Sequence, residues 1–268
     1  MVCVPATYHP NIRVEREHHV TTVTLDRPAA KNACTGDMWV ALGRTFQDIA
    51  SSDTRAVVLT GAGGDFCAGA DLGGSGDAQL FPPQGTMADY MRVLGDSVLA
   101  IHGCPVPVVA KVDGVCVGAG LGLALNADMI WCSKTARFSA IFAKRGLSLD
   151  FGTSWLLPQR IGLHKAKEMA FTAKMVSGVE AVEIGLVNAA VPIAELDDAV
   201  RDLVDAIAAG PPMALATTKR ELDNAYGASL AQALEAETLG QSVNAQSEDL
   251  VEALTAYAER RAPVFRGR

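Results

Sequence analysis

Apolar and polar positions change period repeatedly along this chain. Ile12 to Glu15 and Val20 to Leu25 alternate or cluster β-branched residues on either side of Arg16, Glu17, His18 and His19, the pattern of two short strands joined by a turn. Met38, Trp39, Leu42, Phe46 and Ile49 recur at helical spacing between Asp37 and Ala50, and Arg55 to Thr60 is a continuous apolar run that predicts a buried strand. The same reading predicts a helix over Met87 to His102, a strand over Val106 to Val112, a helix over Ala119 to Asn126 entered from glycines, and a strand over Met129 to Cys132. Helices follow at Thr153 to Arg160, His164 to Thr172 and Val179 to Ile184, with a last strand near Val187 to Val191. Beyond Glu195 the pattern is helical only, over Leu196 to Ala209, Pro212 to Asn224, Leu230 to Ala245 and Asp249 to Arg261.

Strand and helix alternate, which predicts an α/β fold with a core over residues 1–195 and a C-terminal helical module over residues 196–268. Gly61 to Gly76 is glycine-rich, and the polar, Gly- and Pro-bearing stretch that follows to Gln84 reads as a mobile surface loop of the kind that covers sites. A length of 268 residues with 49% hydrophobic and 20% charged positions suffices for a sizeable core and excludes a disordered or collagen-like chain.

Charge and cysteines narrow the classes further. Lys and Arg total 23 against 30 Asp and Glu, a net charge of -7, the wrong sign for coating a phosphate backbone, so no nucleic-acid partner is expected. A small anionic ligand stays possible, because local groups overcome a modest global charge. The six cysteines form no CxxC and stand at no metal-ligand spacing, so they read as reduced core thiols and no metal site is expected. The five histidines fall in no HxH or HxxxH pattern and read as surface or turn residues. The N-terminal stretch lacks a basic segment leading into an apolar run, and the weakly polar Gly114 to Ala127 is too short for a membrane span, so a cytoplasmic protein without membrane contact is expected.

Three separated strings carry a resemblance: LDRPAAKNA at 25–33, RAVVLTGAGGDFCAGADL at 55–72 and KVDGVCVGAGLGLALNADMIWCS at 111–133. With FAKRGLSLDFGTSWLLPQRIG at 142–162 and the terminal AERRAPVFRGR, they resemble the enoyl-CoA hydratase/isomerase family, the crotonase superfamily, over essentially the whole chain and in the same order. Each glycine cluster alone could be a tight turn. The resemblance implies a crotonase-like spiral of ββα units, a C-terminal helical oligomerisation module, a homotrimer or dimer of trimers, and an acyl-CoA thioester substrate whose coenzyme A needs no further cofactor.

The resemblance places two backbone NH donors for the thioester oxygen at Ala70 and Ala119. A short side chain there lets substrate approach the amide, and a helix start adds a favourable dipole. The two acids of the family's hydratases fall on Gly122 and Phe142, and neither side chain can transfer a proton. Asp150 sits where the resemblance places the single acid of family isomerases, the phenylacetate-pathway type being the nearest match through its Asp-x-Gly-x-x-Trp-Leu-Leu-Pro string. An apolar surround of Phe142, Phe151 and Trp155 would raise its pKa and make it a better base, whereas a bland reading makes it only the cap of the helix near Gly152. The resemblance further implies substrate contacts at Lys31, Ala68, Asp71, Leu72, Phe142 and Trp155, and weaker ones at Phe265 and Arg268. One carboxylate suffices to shift a double bond, so an enoyl-CoA isomerase is the leading reading. A hydratase using Asp150 with a second acid and a catalytically silent acyl-CoA binding protein are the alternatives. A dinucleotide-binding dehydrogenase fits poorly, since no GxGxxG follows a strand.

Overall fold

The computed structural model describes residues 7–73 and 85–268. Most of the expected surface loop, residues 74–84, and Cys3 lie outside the described residues.

Two strands, β1 (Ile12–Glu17) and β2 (Val20–Leu25), form an antiparallel hairpin whose turn holds His18 and His19. Helix α1 (Gly36–Ala50) follows, N-capped by Thr35, with Met38, Trp39, Leu42, Phe46 and Ile49 buried along one face. Strand β3 (Ala56–Gly61) lies parallel to β2, and α2 (Met87–His102), started by a Thr86–Asp89 capping box, packs on α1. Gly43 lets the two helices close, since a Cβ there would stand 2.9 Å from the Ser97 Cα.

Strands β4 (Val108–Val112) and β5 (Val115–Val117) lead into α3 (Ala119–Leu125), whose seven residues are all buried. Then come β6 (Met129–Ser133), β7 (Arg137–Ser139), a 3-10 turn over Ile141–Arg145, α4 (Thr153–Ile161) and α5 (Leu163–Thr172). The short β8 (Val176–Ser177), α6 (Gly178–Glu183) and β9 (Ala189–Val191) complete the strands. One sheet runs β1-β2-β3-β4-β6-β9, parallel except for the first pair, and a second runs β5-β7-β8. The two middle units, β4–β5–α3 and β6–β7–α4, thus give one strand to each sheet before a helix. The short strands of the second sheet had no separate signal, because two or three residues show no period.

Four helices end the chain: α7 (Ile193–Ala208), α8 (Pro212–Asn224), α9 (Leu230–Asn244) and α10 (Glu248–Glu259). Residue 195 falls inside α7, whose Leu196, Val200 and Val204 close the back of the large sheet over Ala56, Val58 and Val109. Helix α8 has no buried residue, yet Lys219 ties it to the core through Asp128 at 2.8 Å. The terminal tail returns to α10, where buried Asp249 accepts from the Arg266 and Gly267 amides, Arg268 pairs with Glu248, and Phe265 O accepts from Arg55. Cys34, Cys67, Cys104, Cys116 and Cys132 are buried free thiols. Among the described residues no helix is long and apolar enough to cross a membrane.

Candidate active site

Strands β2, β3 and β4 are parallel neighbours, so the chain leaves all three at the same edge of the sheet, where ligands of open α/β sheets bind. This geometry brings the three separated strings together. The Ala68 amide donates to Lys31 O at 3.0 Å, Cys34 N donates to Gly69 O, and Asp71 N donates to Cys34 O, each at 2.9 Å. On the other side Cys67 N donates to Val115 O and Val117 N donates to Cys67 O. Residues 67–71 are therefore laced between residues 31–34 and the start of β5.

Side chains secure this lacing. Buried Asn32 donates to Ala62 O and Asp65 O and accepts from the Arg27 amide. Arg27 reaches Asp71 at 2.6 Å, with the Asp71 side chain only 6% exposed. Neither Arg27 nor Asn32 stood out as a site residue in the sequence. The available clue was weak: both lie in the Pro-marked stretch 25–33, where a folded loop needs an internal hydrogen-bond hub.

The lacing leaves particular amides unused. The NH groups of Ala68 and Asp71 are paired as above, and that of Gly69 approaches the Cys67 sulfur at 3.4 Å. Among the described residues the Ala70 NH has no partner. In the second string Gly118 N donates to Ser139 O, whereas Ala119, the first residue of α3, has an NH that no helical carbonyl can reach. Gly69 joins the two places, its absent Cβ lying 3.3 Å from Ala119 N. Its φ of +94° is a conformation open to glycine and strained for other residues.

Asp150 precedes α4 in a tight turn. Phe151 and Gly152 both have positive φ, 53° and 77°, and Thr153 N donates to Asp150 O at 2.9 Å, the mirror-image turn of type I′. Asn126 of the α3 C-terminus holds this turn down, donating to Phe151 O at 3.1 Å and Gly122 O at 2.8 Å. Trp39 stacks obliquely on Phe151 with ring centroids 4.4 Å apart. The Asp150 Oδ1 is buried without a hydrogen-bond partner, and burial raises the carboxyl to about 6. Its side chain does not cap α4, because the cap residue is Gly152 with no side-chain bond.

The remaining sequence-predicted residues are spread more widely. Lys31 is half exposed, 3.9 Å from Asp65, and Leu72 is exposed beside the laced segment. Phe142 is buried in the core at the 3-10 turn. Trp155 is 50% exposed, its ring edge-on to His102 at 5.8 Å, and lines a cleft of about 620 Å³ between α4, the α2 terminus and α8. Among the described residues no cluster of His, Cys, Asp and Glu could hold a metal.

Comparison with known proteins decides the family. The family model described as enoyl-CoA hydratase/isomerase matches residues 15–268. The chain belongs to the enoyl-CoA hydratase/isomerase family. It is 32% identical to 1,2-epoxyphenylacetyl-CoA isomerase of Escherichia coli over 94% of this chain and 97% of that one. It is 30% identical to short-chain-enoyl-CoA hydratase of Clostridium acetobutylicum, over 94% and 95%. The crystal structure of an enoyl-CoA hydratase from Bacillus anthracis superimposes with a TM-score of 0.90 at 28% identity, over 96% of this chain and all of that one. The fold is therefore the crotonase spiral, and the chain is an enzyme of this superfamily.

The two positions that the resemblance assigns to the acids of the family's hydratases have a physical account here. A Cβ on Gly122 would lie 2.8 Å from Phe151 Cβ and Phe151 O and 2.9 Å from Thr153 Oγ1. The turn bearing Asp150 occupies the volume an acid at 122 would need. Phe142 fills the second position with core.

Proposed function

We propose that this enzyme moves a carbon–carbon double bond in an enoyl-CoA thioester, with Asp150 as the single acid–base group. The carboxylate removes a proton from the carbon between the thioester carbonyl and the double bond. The electron pair shifts onto the thioester oxygen, giving a dienolate gripped by the NH groups of Ala70 and Ala119. Asp150, now a carboxylic acid, returns a proton two carbons further along, and the double bond moves into conjugation. The proton that leaves is balanced by the proton delivered, and no water is consumed.

One observation carries this reading: Asp150 is a half-buried carboxylate with its Oδ1 buried and unpartnered, raised to about 6 by burial, while the positions that the resemblance gives to the hydratase pair hold Gly122 and Phe142. A base with that pKa is ionised at neutral pH and still returns its proton readily. Two donors aimed at a developing oxyanion contribute roughly 3 kcal/mol each to the transition state. The substrate needs no added cofactor in this mechanism. Lys31 meets the anionic coenzyme A moiety, the backbone of Ala68, Asp71 and Leu72 borders it, and Phe142 and Trp155 contribute to the acyl side.

We further propose a homotrimer or a dimer of trimers. Helices α9 and α10 expose Leu230, Leu234, Leu239, Val251, Leu254 and Tyr257, and helices that bury so little need a partner surface.

The deciding experiment supplies 3-enoyl-CoA and 2-enoyl-CoA in deuterated water to wild type and Asp150→Asn. Conjugated 2-enoyl-CoA formed from the 3-enoyl ester by wild type alone, with no 3-hydroxyacyl product, supports the reading. Rapid 3-hydroxyacyl-CoA formation unaffected by the substitution overturns it.

A further inference from the structure

Among the described residues two buried side-chain polar atoms lack any hydrogen-bond partner: Asp150 Oδ1 and Thr153 Oγ1. Both belong to one four-residue turn, Asp150 as its first residue and Thr153 as its fourth. The end residues of such a turn have Cα atoms less than about 7 Å apart, a gap that a carboxylate, a hydroxyl and one water span together. Thr153 is 0% exposed and begins α4, where its backbone NH is already bonded to Asp150 O. Native proteins seldom leave a buried hydroxyl orphaned, and two orphans three residues apart call for one explanation.

We propose that the Thr153 hydroxyl is the hydrogen-bond donor to the Asp150 carboxylate through one bound water, and is the positioning residue that sets its basicity and direction. The inference rests on Asp150 being the proton-transfer group. A carboxylate accepts and a hydroxyl donates, so the bond favours the ionised form and counteracts the burial that favours the acid. Among the described residues no charged group competes. Helix α3 contains no ionisable residue, and α1 meets the turn through Trp39. Helix α2 meets it through Val98, with Asp96 and Arg92 exposed and His102 against Trp155. The ionisable residue of α4, Arg160, sits in its last turn, and Lys144 and Arg145 are exposed. Gly122 leaves the space that Thr153 Oγ1 enters.

Infrared pH-difference spectra of the full-length protein test this, with Asp150→Asn identifying the Asp150 carboxyl band. Thr153→Val keeps the shape and removes the donor, and should raise the Asp150 midpoint by about one pH unit, a tenfold change in its dissociation constant. Thr153→Ser should restore the wild-type midpoint, and the acidic limb of kcat/KM should move with it. A Val variant that titrates like wild type, or a Ser variant shifted as far as Val, overturns the pairing. If Asp150→Asn stays active while Val moves the midpoint, the pairing stands and the proton-transfer reading falls. If Asp150→Asn is inactive and the midpoint is fixed, the reading stands and the pairing falls.

Discussion

Gly122 and Phe151 touch so closely that a single added methyl on Gly122 would sit 2.8 Å from the Phe151 carbonyl oxygen. Reinstating an acid there cannot produce a hydratase without displacing the Asp150 turn. Gly122→Glu is expected to lower stability by about 3 kcal/mol, the upper part of the range for overpacked sites. Urea unfolding measures the loss, and 3-hydroxyacyl-CoA formation should stay at background.

Asp150 makes the pH dependence specific. As the proposed base it must be ionised, so kcat/KM should fall about tenfold per unit below pH 6 and level off above it. Stability has the opposite slope. The folded pKa lies above the unfolded value of about 3.9, so the folded state binds the extra proton. The Asp150 contribution to the unfolding free energy should be highest below about pH 4, decline as pH rises to about 6, and then stay flat. Asp150→Asn removes the buried charge and should stabilise the protein by roughly 1–3 kcal/mol at pH 7.5. Melting curves of both proteins at pH 4 and 7.5 check the sign, because the gain should vanish at the lower pH.

Gly69 lies where the segments of the two proposed donors meet. An alanine there would crowd Val117 O at 2.9 Å and Ala119 N at 3.3 Å and strain a φ of +94°. Gly69→Ala should lower kcat by about 10²-fold, comparable with losing one oxyanion donor, while the affinity for a coenzyme A ester changes little. Steady-state kinetics with calorimetric binding separates the two; an unchanged kcat would contradict the placement of the donors.

Arg27 and Asp71 join the first two strings through a mostly buried ion pair. Asp71→Ala leaves a guanidinium without its carboxylate and should cost about 3 kcal/mol. The double substitution Arg27→Met with Asp71→Leu should be less destabilising than the sum of its parts. A double-mutant cycle by chemical denaturation reads that coupling.

The exposed apolar face of α10 gives an assembly prediction. Leu254→Asp with Tyr257→Asp puts charge on two exposed positions and should convert a trimeric or larger species to monomer in light scattering. A wild type that is already monomeric would remove the assembly proposal.

Period and punctuation in the sequence determined the elements of this protein. The helices Met87–His102 and Pro212–Asn224 match their expected bounds, because long amphipathic runs with Thr86 or Pro at the start state their own limits. The ordered strings were sufficient to indicate the family, and they placed Ala70, Ala119 and Asp150 on loops or helix starts. Tertiary structure decided what those residues face. Three strings far apart in the chain meet only because β2, β3 and β4 run parallel and end at one edge. Local pattern carries no information on that pairing. The same holds for Asn126, a neutral polar residue whose importance comes from holding a turn that is distant in sequence, and for Thr153, whose hydroxyl is buried against Gly122 of α3. Trp155 stands half exposed with its ring edge-on to His102, an arrangement that no local pattern states. Burial and hydrogen-bond satisfaction are properties of the packed chain, and they make a carboxylate of ordinary sequence context into one raised to about 6.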